Sequence, residues 1–144
     1  MDEKLTKSGE KAFLAPISWI IITGLVFFLA SGEINNLRVW IYIGIYAVGG
    51  LIIGILLKKK SPKLLNDRGK MQEGTKQTDK YIILTYFFFA IIITPLIAGI
   101  DKRFNLSDII PFYYLYLGIV LYLISAIFST WPMLHNPFFE GTIR

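Results

Sequence analysis

The chain has no cysteine. Disulfides, a thiolate nucleophile and a cysteine-bound metal are therefore excluded, and the usual clue to redox compartment is gone. It has a single histidine, His135, with no carboxylate or second histidine close by in sequence. A metal site is not expected from so poor a ligand set, and His135 reads as an interfacial residue. No P-loop, G-x-G-x-x-G or nucleophile–base pattern occurs. Nor is there any internal repeat or low-complexity stretch. Four long stretches, 12–32, 39–57, 81–100 and 109–134, contain no Asp, Glu, Lys, Arg or His. Proton relays and coupled transporters place ionisable groups at membrane depth, so this lack argues against a transporter or a charged-filter channel.

What the chain has in excess is apolar mass. Its 144 residues are 54% hydrophobic, with a mean hydropathy of +0.56. A domain of that size has too little interior to hide so much apolar surface from water. A helix of about 20 apolar residues crosses a hydrocarbon core of about 30 Å, and each stretch is long enough. Backbone groups in lipid must be satisfied within the segment, which favours helices, and the alternation expected of barrel strands is missing. The first stretch follows three lysines and ends in Leu29-Ala30-Ser31-Gly32, a loosely cleavage-like sequence. It exceeds the apolar core of about 7–15 residues typical of a signal peptide, so an uncleaved first span is expected.

The net charge of +5 does not point to nucleic acid, because the positive residues sit in the segments that flank the spans. Twelve of the fifteen Lys and Arg lie in 1–11, 58–80 and the tail; only Arg38, Lys102 and Arg103 lie in the other two loops. This bias predicts cytoplasmic termini, a cytoplasmic 58–80 loop and outward-facing turns at 33–38 and 101–108. Turns that short make neighbouring spans antiparallel hairpins.

Local signals fit the same plan. Asn35 and Asn36 can cap the second helix. Ser107 and Asp108 can cap the fourth, with Pro111 in its first turn. Trp40, Phe112, Tyr113, Tyr114 and Tyr116 fall near the outer interface, and Tyr81 and Trp131 near the inner one. Pro95 should bend the third span, and Asn136-Pro137 should end the helical path after the fourth. In the loop, Ser61-Pro62 reads as a cap and first-turn proline of a short helix over about 62–70. Its Leu64 and Leu65 would dip into the membrane interface. Glu73-Gly74-Thr75-Lys76 reads as a turn. Gly50 and Gly54 form a G-x-x-x-G pair beside Gly49, suited to close helix packing within the chain or, alternatively, to a helix-mediated homo-oligomer. Ser125 and Ser129 make a weaker small-residue face. Lys58, Lys59, Lys60 and Lys63 read as a topogenic anchor, with anionic lipid as the sharper alternative.

Three segments together resemble the isoprenylcysteine carboxyl methyltransferase-like membrane proteins. Pro62-Lys63-Leu64-Leu65-Asn66-Asp67-Arg68, followed by Glu73-Gly74-Thr75-Lys76 and Asp79-Lys80, is similar to that family's cytoplasmic loop. Ala98-Gly99-Ile100-Asp101-Lys102-Arg103-Phe104 is similar to its outer turn, close to A-G-L-D-x-R-F. Asn136-Pro137-Phe138-Phe139 with Thr142-Ile143-Arg144 is similar to its N-P-F-F-x-x-x-[VI]-R. The likeness covers the chain from about Pro62 onward, and the first two spans fit by position.

The resemblance implies an integral membrane enzyme that transfers a methyl group from S-adenosylmethionine to a lipophilic acceptor. It implies a cytoplasmic cofactor pocket whose edge would include Asn136, Pro137, Phe138, Phe139 and Arg144. None of these is assigned a catalytic role, and the alternative for them is a helix exit shaped by Pro137 and anchored by the two phenylalanines. The family's cofactor-binding core follows N-P-F-F, with R-I-Q-x-D-R-G-H-like and R-H-P-x-Y-like stretches, and the sequence ends at Arg144 before either. The donor must be held within near-attack distance of the acceptor, so the chain alone is not expected to bind S-adenosylmethionine or to methylate.

The expected fold is thus an all-α integral membrane protein, a single membrane domain of four antiparallel transmembrane helices. The spans are placed at about 13–32, 39–57, 81–100 and 110–131, with the loop helix between the second and third and a tail at 135–144. The expected function is the N-terminal membrane part of such a methyltransferase, in the cell membrane. Its partners would be the lipid bilayer, a lipophilic methyl acceptor and a complementary C-terminal half. The alternative is a small multi-pass interaction or scaffold protein without activity.

Overall fold

The computed structural model describes residues 4–70, 75–107 and 110–136, and every regular element among them is helical. The elements are α1 (Lys7–Ser31), α2 (Leu37–Lys60), α3 (Pro62–Arg68), α4 (Gln77–Phe88), a π-helical turn (Phe89–Ile93), α5 (Thr94–Phe104) and α6 (Tyr113–His135). α4, the π turn and α5 form one continuous span, so four helices are long and apolar enough to cross a membrane. In their most apolar stretches only 17, 6, 11 and 6% of residues are buried within the chain. Surfaces that apolar, left that open, suit a hydrocarbon surround rather than water.

Side-chain pairings fix the direction of each span. Phe28 meets Trp40, a Cβ on Gly24 would meet Ile43, and one on Gly54 would meet Phe13, so α1 and α2 run in opposite directions. Trp19 meets Phe87 and Gly99 meets Ala30, so α1 and the third span run the same way. Arg38 lies over Phe112 and Tyr46 against Tyr122, so α2 and α6 also run the same way. The bundle therefore alternates, with one end carrying the N-terminus and α3, here called the basic end, and the other carrying the two short turns.

The span limits follow from caps. α1 starts at Lys7, well before residue 13, because Thr6 is extended and its hydroxyl accepts from Gly9 N. It ends at Gly32, whose positive φ of 73° admits the left-handed cap that closes back on Phe28 O. Of Asn35 and Asn36, it is Asn36 that caps α2, accepting from Val39 N.

Pro95 follows a π turn in the third span. It has no N–H, and its ring would crowd the carbonyl one turn earlier. The chain relieves this with the π turn, in which both the amide and the hydroxyl of Thr94 donate to Phe89 O. α5 runs on to Phe104, and Asn105 takes the left-handed conformation that stops it. α6 ends at His135, and the Asn136 amide closes on Pro132 O at 2.8 Å with Asn136 itself extended, as a residue before proline prefers.

Two local expectations are corrected. Ser107 does not cap the fourth helix: its hydroxyl donates to the Asp101 carboxylate at the end of α5, while α6 begins at Tyr113 with no side-chain cap. Pro111 therefore lies before the helix, with its carbonyl accepting from Tyr114 N. Asp108 and Glu73-Gly74 fall outside the described residues. Leu64 and Leu65, at 0% and 3% exposure, do not dip into the membrane interface. They form a protein core with Leu57, backed by Leu5, Phe13, Met133 and Leu134. The reason is that α3 folds back under α1, which covers its apolar side.

Candidate functional site

α1 is the hub of the bundle, packed against α2, α3, the π turn and α5. Small residues make this possible. A Cβ on Gly50 would stand 3.1 Å from Pro16 Cβ, and one on Gly54 would stand 2.9 Å from the Phe13 ring. The G-x-x-x-G face is thus filled by α1 of the same chain. Gly49 admits the Tyr122 hydroxyl of α6 on the adjoining face. Ser125 and Ser129 point away from the bundle.

At the basic end a polar clasp fixes α3 to the start of α1. Asn66 is buried, and its side-chain oxygen accepts from Thr6 N at 2.9 Å and from the Thr6 hydroxyl at 3.0 Å. Its side-chain nitrogen donates to Lys4 O at 3.2 Å, and its carbonyl accepts from the Ser8 hydroxyl at 2.9 Å. Gly69 lies so close that any Cβ there would collide with Ser8 O. The clasp holds Asp67, Arg68 and Lys70 at the rim of a cleft.

That cleft has a volume of about 1000 Å³, at the upper end of the range for ligand sites. It lies where α2 and α4 are held apart, with α1 as its back wall and Tyr122 of α6 at its edge. Its walls are mostly apolar and aromatic, among them Trp19, Ile53, Tyr86 and Phe87. Among the described lining residues, charge is confined to its basic end, where Lys11, Arg68 and Lys70 stand with one acid, Asp67. Lys70 pairs with Asp67 at 3.5 Å. Burial lowers the pKa of the Arg68 guanidinium, which nonetheless stays cationic at neutral pH. Counted over the described residues the rim is therefore net positive, and the walls suit a lipophilic chain.

Of the residues picked out in the sequence, Asn136 caps α6, while Pro137, Phe138, Phe139 and Arg144 fall outside the described residues. His135 is exposed, stacks on the Trp131 ring at 4.7 Å, and bonds Trp131 O through Nδ1 at 2.8 Å. Among the described residues no cluster of His, Asp or Glu could hold a metal. Lys58, Lys59 and Lys60 are exposed at the end of α2, where their charges also complement the helix C-terminus. The cleft and the Asn66 clasp are the features that sequence reasoning missed. Each joins residues from distant helices, and no local pattern announces them.

Comparison with protein-family models, curated proteins and solved structures finds no match to this chain. The four apolar spans make it a multi-pass membrane protein by length and composition.

Proposed function

We propose that this chain is the membrane part of an S-adenosylmethionine-dependent methyltransferase resembling the isoprenylcysteine carboxyl methyltransferases, and that it supplies the acceptor side. The observation that carries the reading is the cleft. An apolar slot flanked by spans, with cations gathered at one end, fits a lipophilic molecule that ends in a carboxylate. Lys11, Arg68 and Lys70 would hold the carboxylate, and the aromatic walls would hold the chain. Methyl transfer to a carboxylate needs little acid–base help, so orientation and exclusion of water are the main tasks of such a site. The basic end faces the cytoplasm in this reading, by the positive-inside bias. S-adenosylmethionine would be held by residues other than those lining the cleft. The alternative of an interaction protein without activity drew on the Gly50/Gly54 face and the basic loop; α1 occupies the first of these.

Binding in nanodiscs tests the proposal. A photoreactive prenylcysteine carboxylate should label cleft peptides of α1 and α2, with competition by the unlabelled acid and not by the matching amine. Charge reversal by Lys11→Glu together with Lys70→Glu should cut labelling about tenfold. Equal competition by the amine would sink the acceptor reading. Calorimetry should give no heat with S-adenosylmethionine and the chain alone, and micromolar binding would move the donor pocket into this chain. Ser61→Cys, the sole thiol in the protein, should resist an impermeant reagent on intact cells; ready labelling would overturn the orientation.

A further inference from the structure

The lysine run at the end of α2 takes no part in the cleft. Lys58, Lys59 and Lys60 are all exposed, and among the described residues no acid pairs with them. Asp67, the nearest acid along the chain, is engaged by Lys70. The C-terminus of α2 carries about half a negative charge, which offsets only a fraction of the three cations. Next to the run, α2 presents a bare apolar face. Val48, Ile52 and Ile55 are exposed, and at about 100° per residue they and Lys59 fall within about 60° of one another around the helix. Gly50, Gly54 and Leu57, which pack against Pro16, Phe13 and the α3 leucines, are turned away from that face. A Cβ on Gly44, further along it, would meet nothing within 4 Å. Because α3 folds back beneath α1, the chain leaves α2 on the α1 side and the face stays open.

We propose that this face holds one anionic phospholipid, its phosphate among Lys58, Lys59 and Lys60 and an acyl chain along Ile55, Ile52 and Val48. The inference is independent of the acceptor reading above. Val48 and Lys59 are eleven residues apart, a rise of about 16 Å, close to one leaflet's half of a hydrocarbon core of about 30 Å. Lys59 is in line with the apolar face. Lys58 and Lys60 stand about 100° to either side of it, so the three ammonium groups bracket a single headgroup. A zwitterionic lipid brings its own ammonium to that point and loses much of the attraction. A helix from another protein is a poorer occupant, because close helix packing needs small residues and the branched side chains here hold a backbone away. The acyl chain gains no hydrophobic energy on binding, since it is already in hydrocarbon, so selectivity must come from the headgroup. Each lysine near an anionic surface is worth roughly fivefold in binding. A run that serves only to orient the span needs its charge but not its place beside this face.

The test uses the full chain in phosphatidylcholine nanodiscs with a trace of phosphatidylglycerol that carries a diazirine in one acyl chain. Labelled residues are located by peptide mass spectrometry. Labelling should concentrate on α2 between Val48 and Lys60, be displaced by unlabelled phosphatidylglycerol, and resist phosphatidylcholine with the same chains. Millimolar inorganic phosphate should not displace it; displacement would mean a site for a free anion and would overturn the lipid. Lys58→Gln, Lys59→Gln and Lys60→Gln together should cut the labelling at least about tenfold. Nine of the twelve Lys and Arg that orient the chain remain in that variant. Lys4→Gln, Lys7→Gln and Lys76→Gln remove the same charge from exposed positions elsewhere at the basic end and should leave labelling unchanged. Should the triple variant not insert, Lys59→Glu alone should reduce labelling by at least about fivefold. Labelling spread evenly over the four spans, equal competition by the two lipids, or equal loss in the control variant would overturn the proposal.

Discussion

At the basic end, α3 is clamped to α1 by Asn66 and sealed by Leu64 and Leu65, whereas halfway along the bundle α2 and α4 stand apart around an open cleft. The two regions answer to different media. The basic end lies where water competes, so apolar burial pays off there and the chain builds a small conventional core. Between the spans the surroundings are as apolar as the side chains, and close contact needs small residues or specific polar bonds. Where glycines meet a neighbour, at Gly24, Gly50, Gly54 and Gly99, α1 is held tightly. Where they do not, at Gly44 and Gly118, a Cβ would meet nothing within 4 Å.

The sharpest way to break that contrast is at Leu64, the one large side chain among the described residues that is fully buried. Leu64→Ala should destabilise the protein by about 2–5 kcal/mol, as large-to-small changes in packed cores do. Denaturant titration in mild detergent, followed by helical circular dichroism, would measure it. A leucine in the lipid-facing surface, Leu29→Ala for example, should change little in the same assay. Equal losses for the two would mean that the basic end is not a core at all.

Next in size is Gly99→Ala. The added methyl would meet Ala30 Cβ at 2.6 Å and the backbone oxygen of Phe27 at 2.7 Å. Backbone cannot swing aside as a side chain can, so α1 and α5 must part, at about 1–3 kcal/mol. Gly54→Ala should cost less, because its neighbour at 2.9 Å is the Phe13 ring, which can turn. A reversed order in thermal denaturation would show that α2, rather than α5, is the closer partner of α1.

Much of this architecture was legible in the sequence, for reasons that differ from element to element. The spans could be read because lipid demands long uncharged helices. Asn36 and Asn136 could be read because caps and the effect of a following proline are local. Leu64 and Leu65 were placed in the membrane interface because a short amphipathic segment after a basic run looks the same whether lipid or protein covers it. What decides between them is Asn66, which reaches across sixty residues to Thr6, a distance that no periodicity encodes. Ser107 was misread for a similar reason. A serine ahead of an apolar run suggests a cap, yet the Asp101 carboxylate behind it is the stronger acceptor. The cleft is assembled from residues on several helices and from a gap between two of them, and a gap has no sequence.

Asn66→Ala sharpens the contrast from the polar side. The loss should be about 1–2 kcal/mol, since each bond contributes about 0.5–1.5 kcal/mol net and water can reach some of the freed groups around Thr6. Its signature should be local. Hydrogen exchange should rise at residues 4–10 and 62–69 and stay unchanged in α5 and α6. Exchange that rises everywhere would mean that the clasp supports the whole bundle, not only the rim of the cleft.

The smallest expected effect is also the cleanest control. Gly118→Ala places a methyl in open space on α6, so only intrinsic helix preference acts. In water that preference would favour alanine by about 1 kcal/mol. In hydrocarbon the unfolded reference already keeps its helices, because broken backbone bonds are prohibitive there, so most of the gain should vanish. The change in stability should therefore stay within about 0.5 kcal/mol. A loss well above that in the detergent titration would reveal a partner seated on the outer face of α6, and the loosely packed half of the bundle would then be an interface rather than a lipid-facing wall.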